Sequence, residues 1–176
     1  MLAVNGFMVV FRIVHILAGV FWVGSVFLFV LYLQPSAAAI APAGAPLMGE
    51  LLGKRRLVDG ILTMAVISVT GGLILYWHDW HLYGSFGHWI GSAFGVALTV
   101  GALAAIAALG IGFSVTRPNV RRFLALGRQV ADSGGPPSAE VGAEMGAIQA
   151  RLKLYARVSL GLLVIAVLAM STARYI

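Results

Sequence analysis

The 176-residue sequence contains no cysteine. This absence excludes disulfide bonds, thiolate zinc sites, cysteine-ligated iron–sulfur clusters and covalently attached c-type haem within the chain. The other metal-ligating residues are also few, with 4 histidines, 6 methionines and 6 acidic residues. Any metal or haem held by this chain must therefore use histidine, methionine or carboxylate ligands.

Charge is equally scarce, since 10% of the residues are charged and 60% are hydrophobic. The mean hydropathy is +0.96, and this composition indicates an integral membrane protein. Nearly uncharged stretches predict four membrane-spanning helices at about 8–33, 58–77, 88–116 and 158–174. The short alternating segments of a strand-built barrel are missing, so we expect a single all-α domain, a four-helix membrane bundle over residues 1–176.

Acidic residues are outnumbered by basic ones, and the formal net charge is +6. The basic residues in or beside the first and third loops are Lys54, Arg55, Arg56, Arg117, Arg121, Arg122, Arg128, Arg151, Lys153 and Arg157. The positive-inside rule then places these two loops in the cytoplasm and both termini outside. The excess charge is explained by topology, so we expect membrane lipid rather than nucleic acid as a partner.

Local signals predict how the spans begin and end. Gln34-Pro35 is expected to end the first helix, and residues 36–49 to form an irregular connection. Asp59 follows Arg55 by four residues, which predicts an ion pair on one helix face.

The third loop predicts further helix. Residues 119–128 alternate arginines with apolar side chains, as in a short amphipathic helix on the inner membrane surface. Ser138 is expected to cap a helix that continues into the fourth span.

All four histidines are expected in the outer half of the bundle. His15 lies within the first apolar run, whereas His78, His81 and His88 surround the second loop. A polar side chain in hydrocarbon costs a few kcal/mol and usually faces a partner, a cofactor or water. The structural alternative for His15 is a neutral imidazole bonded to a neighbouring helix.

Haem b is one cofactor that fits these residues. His15 with His88, or His15 with His78, is expected to supply the axial ligands, and Arg12 to meet a propionate. The residues expected to wall the slot are Phe11, Trp22, Phe94 and a strip of small residues on the third helix, Gly87, Gly91, Gly95 and Thr99. Close helix packing is the alternative explanation for that strip.

Copper is the alternative cofactor, because imidazole and thioether both suit it. The candidate metal ligands are His15, His78, His81, His88 and Met8, with Met170 as a further thioether. A His78-x-x-His81 pair that binds nothing is the structural alternative, and Asp79 is expected to orient an imidazole.

Several short motifs resemble one family of membrane proteins. They are Arg12-x-x-His15-x-x-x-Gly19-x-x-Trp22-x-Gly24, then Gln34-Pro35, His88 at the third span, and Met170-x-x-x-Arg174-Tyr175. Together they resemble the CopD-like group of bacterial membrane proteins, which is similar to HemJ-type protoporphyrinogen oxidases and to the membrane part of cytochrome-c-linked urate oxidases.

The resemblance implies a four-helix module of a bacterial-type inner (plasma) membrane, with a histidine-ligated haem or a copper-handling role at the outer face. His15 and His88 match the group's histidines in the first and third helices. HemJ-type enzymes carry a lysine two residues after the third-helix histidine, where this chain has Ile90. Porphyrinogen oxidation is therefore not the expected reaction.

The predicted function is binding of b-type haem by His15 and a second histidine, His88 first, for electron transfer or for quinone- or oxygen-linked redox chemistry. A quinone or a redox protein is the expected partner. One alternative is a copper transfer or uptake protein. The other is a non-catalytic accessory subunit of a larger membrane complex, in which the aromatic and glycine surfaces only pack. A homo-oligomer or a larger membrane complex is the expected assembly.

Overall fold

A computed structural model describes residues 6–176, and within that range the chain is helical with no strand. In chain order the α-helices are α1 (Gly6–Leu28), α2 (Gln34–Ala39), α3 (Gly44–Gly49), α4 (Leu57–Leu82), α5 (Phe86–Gly91), α6 (Ala93–Ile111), α7 (Arg117–Ser133) and α8 (Ala139–Thr172). The π-helical turns Phe29–Leu33, Glu50–Lys54 and Gly112–Thr116 extend α1, α3 and α6, and a 3₁₀ turn, Ala173–Tyr175, follows α8.

Four continuous helical runs are long and apolar enough to cross a membrane. They are Gly6–Ala39, Leu57–Leu82, Ala93–Ser133 and Ala139–Tyr175. The predicted all-α architecture with four spans is therefore confirmed, and the chain is a multi-pass membrane protein.

Sequential helices run antiparallel. α1 packs chiefly on α4 and α6 chiefly on α8, and α4 joins the two pairs through α6. The order of contacts shows the direction, because His15 meets Gly71 whereas Gly19, further along α1, meets Ser68. One end of the bundle thus carries the starts of α4 and α8 and the junction between α6 and α7, and we call it the basic end. The opposite end carries His78, His81 and His88.

The buried core lies between all four long helices. Trp22, Ala65, Ala108 and Leu163 form it, one from each of α1, α4, α6 and α8. The two alanines let the helix backbones approach, and the large Trp22 ring fills the remaining space. Most other large apolar side chains face outward, as expected of a surface that contacts lipid.

The first helix does not end where the sequence predicts. The π-helical turn leads directly into α2, and Pro35 occupies the first turn of α2. A first-turn N–H has no partner within its own α-helix, so proline is tolerated there. The predicted end at Gln34-Pro35 is therefore wrong, and residues 36–49, expected to be irregular, are helical over much of their length.

The predicted Arg55–Asp59 pair is also wrong. Arg55 binds Glu50, with Nε and Oε1 3.1 Å apart, because residues 50–54 form a π-helical turn. Arg56 then takes a left-handed backbone conformation (φ 51°) before α4 begins. This break removes the i,i+4 geometry on which an Arg55–Asp59 pair depends.

The third loop is a helical hairpin. Helix α7 includes the predicted amphipathic residues 119–128, continues α6 and packs along α8. At 1.5 Å per residue, the 34 residues of α8 span about 51 Å, well beyond the roughly 30 Å hydrocarbon layer. The part of α8 beyond that thickness pairs with α7.

Buried side chains and one ion pair hold the hairpin together. Val120 and Leu126 of α7 and Ile148 of α8 are buried, and the two helices are in contact. Arg122 Nε and Nη2 donate to the two carboxylate oxygens of Glu144 at 2.7 and 2.8 Å. The Val141 N–H donates to Ser138 Oγ at 3.3 Å, so the predicted cap of α8 is confirmed.

Candidate functional site

His15 lies on the face of α1 that packs against α4. Its Nδ1 is 2.7 Å from the backbone oxygen of Ser68. A carbonyl oxygen only accepts, so Nδ1 carries the proton and donates. In the neutral ring, Nε2 then presents its lone pair and is free to accept a hydrogen bond or bind a metal.

A second hydrogen bond between these residues runs from Ser68 to His15. Ser68 is the one buried polar residue in the described part of the chain. Its Oγ donates to the backbone oxygen of His15 at 3.1 Å. A Cβ at Gly19 would lie 3.1 Å from Ser68 Oγ, so Gly19 leaves room for the hydroxyl. These bonds join His15 to a neighbouring helix, as the structural alternative for this residue expects. We call these reciprocal bonds the His15–Ser68 pair.

Two adjacent glycines of α4 lie against His15. A Cβ at Gly72 would lie 2.9 Å from His15 Cε1 and 3.0 Å from Nδ1. A Cβ at Gly71 would lie 3.3 Å from His15 Cβ. The ring occupies this position because Gly72 lacks a side chain, whereas Gly71 lets the α1 backbone at His15 lie close to α4.

Ser68, Gly71 and Gly72 were missed by reasoning from the sequence. The sequence pattern that could have identified them is a serine followed three and four residues later by two adjacent glycines, within an apolar span. Small residues in this arrangement are typical of close helix contacts in membranes. The pattern does not say which residue of another helix fills the space.

Arg12 lies one turn from His15 towards the start of α1 and is exposed. Among the ion pairs of residues 6–176, none involves Arg12. The predicted thioether ligand Met8 lies on the same helix and is half-buried. Arg12 is thus a cation near His15 with no carboxylate paired to it in the described part of the chain.

The other three histidines have separate local surroundings at the far end of the bundle. His78 Nδ1 lies 3.5 Å from Asp79 Oδ1, at the outer limit of a hydrogen bond. His81 Nδ1 donates to the Trp77 carbonyl oxygen at 2.7 Å. His88 is exposed on the short helix α5, and its ring centroid is 6.1 Å from that of Tyr83.

His15 lies deeper in the bundle than these residues. Its contacts on α4 are Ser68, Gly71 and Gly72. His78 follows Gly72 by six residues, about 9 Å further along the helix axis. His15 therefore lies about 9 Å further from that end of the bundle than His78 does.

No group of three or more His, Asp or Glu side chains is placed to hold a metal ion within residues 6–176. The predicted copper ligands are thus not gathered into such a group. A haem requires only one or two axial ligands, so this finding leaves the haem prediction as a prediction.

The residues expected to wall a haem slot make other contacts in the structure. Trp22 is a core residue, and Phe11 packs against Phe7 with ring centroids 4.4 Å apart. Phe94 stacks on Tyr83 and meets the fully buried Trp89 edge-on.

The expected strip of small residues is not continuous. Ser92 has an extended backbone (ψ 143°) that separates α5, with Gly87 and Gly91, from α6, with Gly95. A Cβ at Gly95 would collide with the Trp89 carbonyl oxygen. Thr99 Oγ1 lies 2.7 Å from the Tyr76 hydroxyl, so this part of the strip is a packing and hydrogen-bonding surface against α4.

Searches against protein-family models, curated proteins and solved structures find no match to this chain.

Proposed function

We propose that this protein binds b-type haem through His15 and takes part in electron transfer within the membrane. The observation that carries the proposal is the bond from His15 Nδ1 to the Ser68 carbonyl oxygen at 2.7 Å. Histidines that bind a metal through one ring nitrogen commonly donate the other N–H to a carbonyl or carboxylate, which fixes the ring and makes the ligand more basic. The His15–Ser68 pair supplies that arrangement.

The residues around His15 are compatible with this cofactor. An imidazole with a free Nε2 within an apolar helix bundle is the ligand type that b-type haem requires. Arg12, one turn away, offers a guanidinium for a propionate. When bound, a haem supplies one-electron redox chemistry, and a quinone or a redox protein is the partner that such chemistry requires.

The protein's own residues set the properties of such a site. Ser68 and Gly72 hold the His15 ring in one orientation against α4, where it is half-buried. His88 and His78 are the candidates for a second ligand. Both lie nearer the end of the bundle than His15, so the proposal depends on His15 alone.

We further propose that the membrane is a bacterial inner membrane, with the basic end of the bundle in the cytoplasm and both termini outside. The support is the distribution of lysine and arginine between the two ends. Cysteine-accessibility labelling tests this orientation, and the cysteine-free chain needs no background substitutions.

The absorption spectrum of the purified protein tests the haem proposal. We expect a Soret band, and α and β bands that appear on reduction. His15→Ala should remove the bands, and added imidazole should restore them, because a free imidazole can replace the missing ligand. His81→Ala is the matched control and should keep the spectrum.

A colourless wild-type protein, reconstituted with haemin and still without these bands, would contradict the proposal. An unchanged spectrum in His15→Ala would remove His15 from the site. Copper in the preparation without any haem absorption would instead favour the metal alternative. Substitutions at His88 and His78 identify the second ligand. Replacing that ligand should change the reduced spectrum without abolishing it.

A further inference from the structure

A second region of polar residues lies at the basic end, between α4 and the junction of α6 with α7. It is an open groove with a volume of about 360 Å³. Its rim is formed by Arg56, Asp59 and Arg117, and its wall by apolar side chains that include Val66, Ile67 and Phe113. We call it the arginine groove.

The rim carries more positive than negative charge. Asp59 Oδ1 accepts from Arg117 Nε at 2.7 Å, and Asp59 Oδ2 accepts from Arg56 Nε at 3.0 Å. Arg121 adds a third guanidinium, with Nη2 3.6 Å from Asp59 Oδ1. One carboxylate thus faces three guanidinium groups, which leaves a net charge of about +2 for an anion to neutralise.

The backbone places Arg56 at this rim. Arg56 has φ 51° and ψ 41°, a left-handed conformation that costs a non-glycine residue about 1 kcal/mol or more. The turn directs the guanidinium back to Asp59, within the first turn of α4. Nε and Nη2 of Arg56 contact Asp59 Oδ2, but the side chain is 67% exposed, so the remaining guanidinium N–H groups are accessible to a ligand at the helix start.

The wall extends from the rim towards the middle of the membrane. Val66 and Ile67 follow Asp59 by seven and eight residues, so they lie roughly 10–12 Å deeper along α4. Val66 is 40% exposed, Ile67 37% and Phe113 44%. The groove is therefore open along its side. Thr63 is the one polar residue of its wall, and its hydroxyl already donates to the Asp59 backbone oxygen, so the wall offers an acyl chain a mainly apolar surface.

We infer that the arginine groove binds one anionic phospholipid, with its phosphate at Arg56 and Arg117 and an acyl chain along Val66, Ile67 and Phe113. Basic pockets between spanning helices favour anionic headgroups, at about 1 kcal/mol per arginine near the surface. The apolar wall below the charged rim matches the chemistry of a lipid better than that of a soluble phosphate. This inference does not depend on the haem proposal.

Lipid retention tests this inference. The full-length protein is purified from bilayers that contain phosphatidylcholine and phosphatidylglycerol, washed with detergent, and its retained lipids are measured by mass spectrometry. We expect retention of phosphatidylglycerol over phosphatidylcholine. Arg117→Gln should lower that preference about fivefold, whereas Arg128→Gln, an exposed arginine of the same helix that does not line the groove, should leave it unchanged.

Two further variants separate lipid binding from helix anchoring. Ile67→Trp fills the wall and keeps every charge, so it should reduce retention of phosphatidylglycerol. Asp59→Asn removes the competing carboxylate, so it should increase retention, whereas a purely structural ion pair predicts no increase.

Three results would overturn the inference. They are equal retention of the two lipids by the wild type, an equal loss in Arg117→Gln and Arg128→Gln, and binding of inorganic phosphate that Ile67→Trp does not change. The last would show a soluble anion at the rim rather than a lipid.

Discussion

The two polar regions of this bundle use different chemistry at different depths. Midway along α4, the His15–Ser68 pair joins two helices through neutral hydrogen bonds, and two glycines make room for it. At the basic end, Asp59 joins α4 to α7 through charged arginines beside an open groove. The first region must satisfy its polar groups internally, because hydrocarbon offers no water, whereas the second can use lipid headgroups and solvent.

This difference predicts that only the region at the basic end responds to salt and lipid. Neutral bonds within the bundle should be insensitive to ionic strength, whereas exposed and half-exposed ion pairs should weaken as salt increases. Substitutions in the two regions test whether the distinction holds.

Gly72→Ala should have the largest effect. Its Cβ would lie 2.9 Å from His15 Cε1, so the ring must shift and lose its bond to Ser68, or α1 must move away from α4. We expect a loss of about 1–3 kcal/mol in the free energy of unfolding, measured by denaturant titration in mixed micelles. Gly60→Ala, on the same helix with nothing near its Cβ, is the control and should be neutral or slightly stabilising. Equal effects of the two would show that His15 is not confined by α4.

Asp59→Asn should have the next largest effect. The substitution leaves several guanidinium groups facing one another, and we expect a loss of about 1 kcal/mol that changes with salt and is partly recovered by anionic lipid. Thermal unfolding in nanodiscs, with and without phosphatidylglycerol, measures it. A loss that is the same in every salt and lipid would mean that Asp59 acts through packing alone.

Ser68→Ala should cost about 0.6 kcal/mol, the average of interhelical hydrogen bonds in membranes. It removes the Oγ donor to the His15 carbonyl but keeps the Ser68 carbonyl that orients the ring. Unlike Asp59→Asn, it should give the same loss at low and high salt. Ser114→Ala, whose hydroxyl bonds within its own helix, is the matched control. A salt-dependent loss in Ser68→Ala would contradict the expectation that only the basic end is sensitive to ionic strength.

Glu144→Gln should have the smallest effect. The Arg122–Glu144 pair is exposed, so solvent screens it, and the buried Val120, Leu126 and Ile148 hold the hairpin without it. Hydrogen exchange of α7 and the first half of α8 should be nearly unchanged at moderate salt. Leu126→Ala, by contrast, should increase exchange over both helices, and the opposite ranking would show that charge rather than burial holds the hairpin.

Hydropathy alone was sufficient to predict the four spans, because uncharged runs of this length have one stable conformation in a membrane. The Ser138 cap was predictable for a similar reason, since it depends on neighbouring residues only. Pro35 and Arg55 were misjudged because π-helical turns change the register that simple helical counting assumes. The partner of His15 was not predictable, since Ser68 is 53 residues away and only the packed helices bring the two together.

The His15–Ser68 pair also has a consequence for assembly. Two apolar helices that enter a bilayer one after the other can slide along each other at little energetic cost, because every depth offers similar contacts. The His15 ring packs directly on Gly72 and limits that freedom, since a shift of one turn would place it against Ser68 or Tyr76 instead. His15 therefore fixes the relative depth of the first two spanning helices in the membrane.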